Sequence, residues 1–155
     1  MFLPLRVAVV DGCDKLAYTK AEEIRLKRLI QHLNWIYKHE PALFDQDDTY
    51  EGFEWIDFHD SDNSVVAFLR RSRHGDTVVF VVNATPVSRE GYRIGVPEAG
   101  WYEEVLNTDA QTYGGGNVGN MGGQHAEQMP WQARSHSLLL RLPPLSTIGF
   151  KLHRY

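Results

Sequence analysis

Cysteine is nearly absent: Cys13 is the single one in 155 residues. That excludes an internal disulfide framework and a cysteine-rich zinc site, and it fits a reducing compartment. Long apolar runs are missing as well, and none approaches the ~18 residues that a membrane-spanning helix needs. The opening stretch MFLPLRVAVVDG is apolar, but no basic region and small-residue cleavage site frame it. It does not read as a signal peptide, and the expected setting is the cytoplasm. An excess of positive charge is also lacking. Sixteen Lys and Arg against twenty Asp and Glu leave a net charge of −4, which favours neither nucleic acid nor an anionic membrane surface. The basic cluster RRSRH (Arg70 to His74) is local and reads as a solvated hairpin end.

The sequence patterns of common catalytic sites are missing too. The histidines (His32, His39, His59, His74, His125, His136, His153) fall at neither H-x-H nor H-x-x-x-H spacing, so no zinc site is written locally. There is no G-x-S-x-G nucleophile elbow. DSDNS (Asp60 to Ser64) opens like a calcium loop, but Val65 stands where the sharp turn needs glycine and the later Glu is absent, so a hairpin turn is expected. Glu103 and Glu104 occupy successive strand positions, point to opposite faces, and do not form an acid–base pair. No metal and no cofactor is expected.

What is present is one domain's worth of ordinary globular sequence, 43% apolar and 23% charged. Residues 1–18 leave two alternatives open: a strand closed by the turn DG, or a leader belonging to a larger context. Residues 19–40 read as a helix leading into the domain. Thr19 with Glu22 forms a capping box. Leu26, Leu29, Ile30, Leu33, Ile36 and Tyr37 share one face. Lys38 and His39 suit the last turn, and Pro41 ends the helix. Residues 41–155 read as the β domain, and from Phe53 onward the period changes to two. FEWIDF (53–58), VVAFLRR (65–71), TVVFVVNA (77–84), GYRIGV (91–96), WYEEVLN (101–107), SHSLLLRL (135–142) and STIGFKLH (146–153) are predicted strands separated by turn residues. The pattern predicts an all-β domain, an antiparallel β-sandwich of Greek-key type preceded by one amino-terminal α-helix. Val65–Leu69 and Val78–Val82 are apolar on both faces. A sandwich strand needs one apolar face, so the second must be covered, in part by the helix and otherwise by a further domain.

The stretch YGGGNVGNMGG (Tyr113 to Gly123) contains G-x-G-x-x-G at Gly114, Gly116 and Gly119. A dinucleotide fingerprint requires a helix after the last glycine within a βαβ unit. Here Gly122, Gly123 and Pro130 follow instead, so the motif reads as a structural loop. Aromatics make up 12% of the chain. Trp35 and Trp55, inside regular elements, are expected in the core. Tyr113 and Trp131, in or beside the long loop, are the candidates for exposed platforms on which sugar rings stack.

LNWIYKHEPAL, GFEWIDFHDSDNSVVAFLRR, VVFVVNATPVSREGYRIGVPEAGWYEEVLNTDAQTYGGGNVGN and HSLLLRLPPLSTIGFKL resemble, in that order, the carboxy-terminal part of bacterial glycogen branching enzymes of the α-amylase superfamily. The resemblance runs from about Leu29 to Leu152; residues 1 to about 23 depart from it. It implies a non-catalytic carboxy-terminal β domain of an enzyme that cleaves α-1,4-glucan and transfers the chain to a 6-hydroxyl. The two carboxylates of that retaining chemistry belong to a (β/α)8 barrel, and no position here matches them. The partners implied are that barrel and an α-glucan, with Tyr113 and Trp131 as the glucan-contact candidates. The chain alone is expected to be inactive. The alternatives are a stand-alone glucan-binding module and a structural docking domain.

Overall fold

The computed structural model describes residues 7–10, 13–16 and 19–155. Strand β1 (Val7–Val10) pairs antiparallel with β2 (Cys13–Leu16). The other residues of 1–18, on which the leader alternative also bears, lie outside the described residues. Helix α1 spans Lys20–His39. The Thr19 hydroxyl accepts the Glu22 N–H at 3.3 Å, and the Glu22 carboxylate accepts the Thr19 N–H at 2.8 Å, which closes the capping box. The Thr19 N–H foremost, and then the Thr19 hydroxyl, which donates to the same carboxylate at 2.8 Å, hold the Glu22 carboxyl below the usual carboxylate range. Pro41 opens a short 3-10 turn, Pro41–Leu43, that follows the helix.

The seven expected strands all form: β3 (Phe53–Asp57), β4 (Val65–Arg71), β5 (Thr77–Asn83), β6 (Arg89–Val96), β7 (Trp101–Asn107), β9 (His136–Leu142) and β10 (Ser146–His153). An additional three-residue strand, β8 (Gly123–His125), pairs with β7. Too short and glycine-rich to show alternation, it left no periodic signal. The six-stranded antiparallel sheet runs β3-β4-β5-β10-β7-β8, and the smaller sheet pairs β6 with β9. The chain crosses to the smaller sheet after β5 and after β8, and returns after β6 and after β9. That crossing sets β7 beside β10 and β6 beside β9, the Greek-key arrangement.

Val65, Ala67, Leu69, Val79, Val81, Ile148, Phe150 and Leu152 from the large sheet meet Ile94, Val96, Leu138, Leu140 and Leu142 from the small one. Burying each of these side chains other than Ala67 is worth about 1.5–3 kcal/mol. A second cluster lies on the outer face of the large sheet, where Val78, Phe80 and Leu106 pack beneath Ile36, Leu33, Ala42 and Leu43. This covers part of the second apolar face of β4 and β5. A bulge helps to build it. The pairing of β7 with β10 shifts between Gly149 and Phe150, so Glu104 opposes Phe150 on the inner face while Leu106 opposes Gly149 on the outer one.

The helix face is only half used. Ile36 is buried and Leu33 partly so, whereas Ile24, Leu26, Ile30 and Tyr37 stay exposed. The expected core positions of Trp35 and Trp55 are overturned: they are 57% and 47% exposed. Trp35 neighbours Ile36 in sequence, about 100° around the helix from the docked side chain. Trp55 points to the outer face of β3, beyond the reach of α1. RRSRH lies at the β4–β5 hairpin end, but it is paired rather than merely solvated. Arg70 meets Asp47, Arg71 meets Glu54 at 2.7 Å and Arg73 meets Asp48 at 3.6 Å. The 60–64 segment is a turn, closed by Asp60 accepting from Asn63 and from the Tyr92 hydroxyl at 2.6 Å. Among the described residues, no helix is long and apolar enough to cross a membrane.

Candidate functional site

The glycine-rich loop wraps a carboxylate of its own chain. Asp109, 1% exposed, accepts the Gly116 N–H at 2.9 Å and the Val118 N–H at 3.0 Å through its two carboxylate oxygens. Its main-chain carbonyl takes the Asn117 N–H at 2.7 Å. A Cβ on Gly115 would collide with that carbonyl, and Gly114 sits in the left-handed region at φ 85°. The Gly116 and Val118 N–H groups are therefore already satisfied by an internal anion and not free to cradle a phosphate. The loop is structural, as the missing helix implied.

The loop also carries Tyr113 to helix α1. Its hydroxyl meets His32 Nδ1, the two rings stack with centroids 6.1 Å apart, and burial pushes the phenol above the ordinary tyrosine range. Tyr113 is half-buried. His32 leads into a cleft of about 500 Å³ between the end of α1 and strands β7 and β10, lined by Trp35, His39, Glu40, Glu103, Lys151 and His153 among others. Trp35 lies at this cleft with His39 stacked on it, centroids 4.6 Å apart. His39 Nδ1–H donates to the Trp35 carbonyl at 2.8 Å, an i to i−4 bond that fixes the imidazole along the helix. Across the cleft, His153 Nε2 meets Glu103 at 2.7 Å, and Lys151 Nζ meets Glu40 Oε2 at 2.7 Å. The Glu40 side chain is only 7% exposed, and its other oxygen, Oε1, has no hydrogen-bond donor among the described residues. Glu104 turns to different partners, Asn107 and Asn120.

Trp131 stands apart from this cleft. Its carbonyl and Gln132 press on Gly95 of β6, on the side away from Ile94 and Val96, whose side chains fill the sandwich core. That places Trp131, 46% exposed, on the outer face of the small sheet, across the sandwich from α1. The segment is pinned by Gln132 Nε2 donating to Asp57 at 2.6 Å and by Arg134 reaching Glu54 and the Trp55 carbonyl. The structure thus does not bring Tyr113 and Trp131 together.

A third feature is an aromatic strip on the outer face of the large sheet. Phe53 and Trp55 meet edge to face at 5.0 Å, Trp55 and Phe58 lie 5.6 Å apart, and Phe68 stacks on Phe53 and on Phe80 at 5.4 Å each. Phe80 lies under α1, while Phe53, Trp55 and Phe58 are exposed. The strip and the cleft both escaped the sequence reading, because each joins residues from distant segments. For the cleft, the one available sign was Trp35 and His39 four apart on a helix.

Comparison with known proteins gives a consistent picture. Residues 55–153 match the family described as alpha amylase, C-terminal all-beta domain. The chain is 49% identical over 127 residues to the 1,4-alpha-glucan branching enzyme GlgB of Aquifex aeolicus (strain VF5). It is 52% identical over 128 residues to that of Paramagnetospirillum magneticum (strain ATCC 700264 / AMB-1). These alignments cover 81% and 82% of this chain but 20% and 17% of the relatives, so the chain spans about a fifth of their length. Among solved structures, the catalytic module of the glycogen-degrading pneumococcal virulence factor SpuA superposes with a TM-score of 0.53 at 17% identity. That match covers 92% of this chain and 21% of the module, and is a likeness of fold alone.

Proposed function

Because this chain belongs to the alpha amylase C-terminal all-beta domain family, we propose that it is the non-catalytic β domain of a glycogen-branching enzyme. In that role it buttresses a catalytic (β/α)8 barrel and helps to hold the α-glucan chain. The observation that carries the reading is the identity of about one residue in two, over four-fifths of this chain, to GlgB proteins. The apolar surface left open on the domain supports the docking part. Ile24, Leu26, Ile30 and Tyr37 on α1, and Phe53, Trp55 and Phe58 beside the large sheet, need cover that the described residues do not provide. Glycosyl transfer with retention needs two carboxylates on either side of one bond. In this reading the barrel supplies them, and the β domain supplies rigidity and glucan contacts. Tyr113 and Trp131 are proposed among those contacts, on opposite sides of the sandwich.

The test is a chimera. The matching segment of the Aquifex aeolicus relative is replaced by this chain, and branching is followed by the fall in iodine–amylose absorbance. The chimera is expected to branch and the isolated chain not to. Branching by the isolated chain, or a folded but inactive chimera beside an active parent, would sink the proposal.

A further inference from the structure

From the cleft between α1 and strands β7 and β10, we infer a binding subsite for a neutral, hydroxyl-rich ligand, a stretch of α-1,4-linked glucan. The inference deepens the proposed function and rests on its glucan-holding part, but it moves the contact to residues outside the sequence candidates. The cavity volume of about 500 Å³ falls within the range of small-molecule sites. Its charged side chains already have partners: Lys151 meets Glu40, His153 meets Glu103, and Glu104 takes the Asn107 and Asn120 amides. What remains unmatched is an acceptor. Glu40 Oε1 is buried without a donor among the described residues, a state that is costly until a hydroxyl or water supplies one. Beside it Trp35 presents a broad exposed aromatic surface. A glucose ring combines what these two groups ask for: O–H donors at its edge and an apolar C–H face for an aromatic ring. Tyr113 is not a lining residue. Its hydroxyl braces His32, so at this cleft it positions the wall, and its proposed glucan contact lies outside the cleft.

The experiment is calorimetric titration of the 155-residue chain with maltoheptaose, using wild type, Trp35→Ala, Glu40→Gln and Trp131→Ala. The wild type is expected to bind. Trp35→Ala and Glu40→Gln are each expected to weaken binding about tenfold or more, the first by removing the aromatic face and the second by removing a charged hydrogen-bond acceptor. Trp131→Ala is expected to leave most of the affinity. Amide and side-chain NMR shifts on wild type should centre on Trp35, His39 and Lys151, a readout that does not depend on how Glu40→Gln folds. Wild-type affinity in both cleft variants, with shifts elsewhere, would overturn this subsite and leave glucan holding intact. No binding by wild type would overturn both.

Discussion

Asp109 shows how one side chain decides the meaning of a motif. A G-x-G-x-x-G string offers N–H groups to an anion, and here the anion is built in. Replacing Asp109 by Ala removes the acceptor of both N–H groups, at an exposed Gly116 and a half-buried Val118, and each lost bond is expected to cost about 0.5–1.5 kcal/mol. A urea titration of Asp109→Ala should show a clearly lower midpoint at unchanged slope, with Asp109→Asn falling between it and wild type because it keeps one acceptor oxygen. An unchanged midpoint in the Ala variant would mean that the loop does not depend on this carboxylate. Gly115 could be foreseen as special only as part of a glycine run. That its missing Cβ makes room for the Asp109 carbonyl is a fact of the folded loop.

At the scale of elements, α1 is a helix with a strong start and a weak anchorage. Its capping box was plain in Thr19 and Glu22, and its apolar face in the three- and four-residue spacing. Which part of that face docks was not, because periodicity locates a stripe and says nothing of how much sheet lies opposite. Only Leu33 and Ile36 reach the cluster of Val78, Phe80 and Leu106. Leu106 faces that cluster through the bulge in β7, a break in alternation that a strict period of two would miss. Leu106→Ala is expected to destabilise by about 2–5 kcal/mol, as large-to-small changes in packed clusters do. The loss should be local: hydrogen exchange should quicken in residues 30–43, while β4 and β5 keep their protection from the sandwich core. Uniform loss of protection would mean that helix and sheet unfold as one unit.

For the whole molecule, the question is how much apolar surface remains uncovered. The aromatic strip on β3 and β4 and the free half of α1 both lie outside the two packed clusters. An exposed apolar surface of this kind marks an interface. The chain on its own should enhance the fluorescence of an anilinonaphthalene dye, and Trp55→Asn combined with Phe58→Ser should remove most of the enhancement without lowering stability. A wild-type chain that leaves the dye dark would count against docking through this face.

The sequence by itself determined the seven longer strands of the sandwich, the helix with its cap, the all-β class and the family, because period, turn residues and recognisable strings are local properties of the chain. Only the tertiary structure decided that Trp35 and Trp55 face outward, that Tyr113 braces His32, and that Glu40 meets Lys151 beside a cleft. Those facts depend on which distant segments the Greek-key crossing and the β7 bulge bring together. The pairing of α1 with the last strand has no signature in either segment alone.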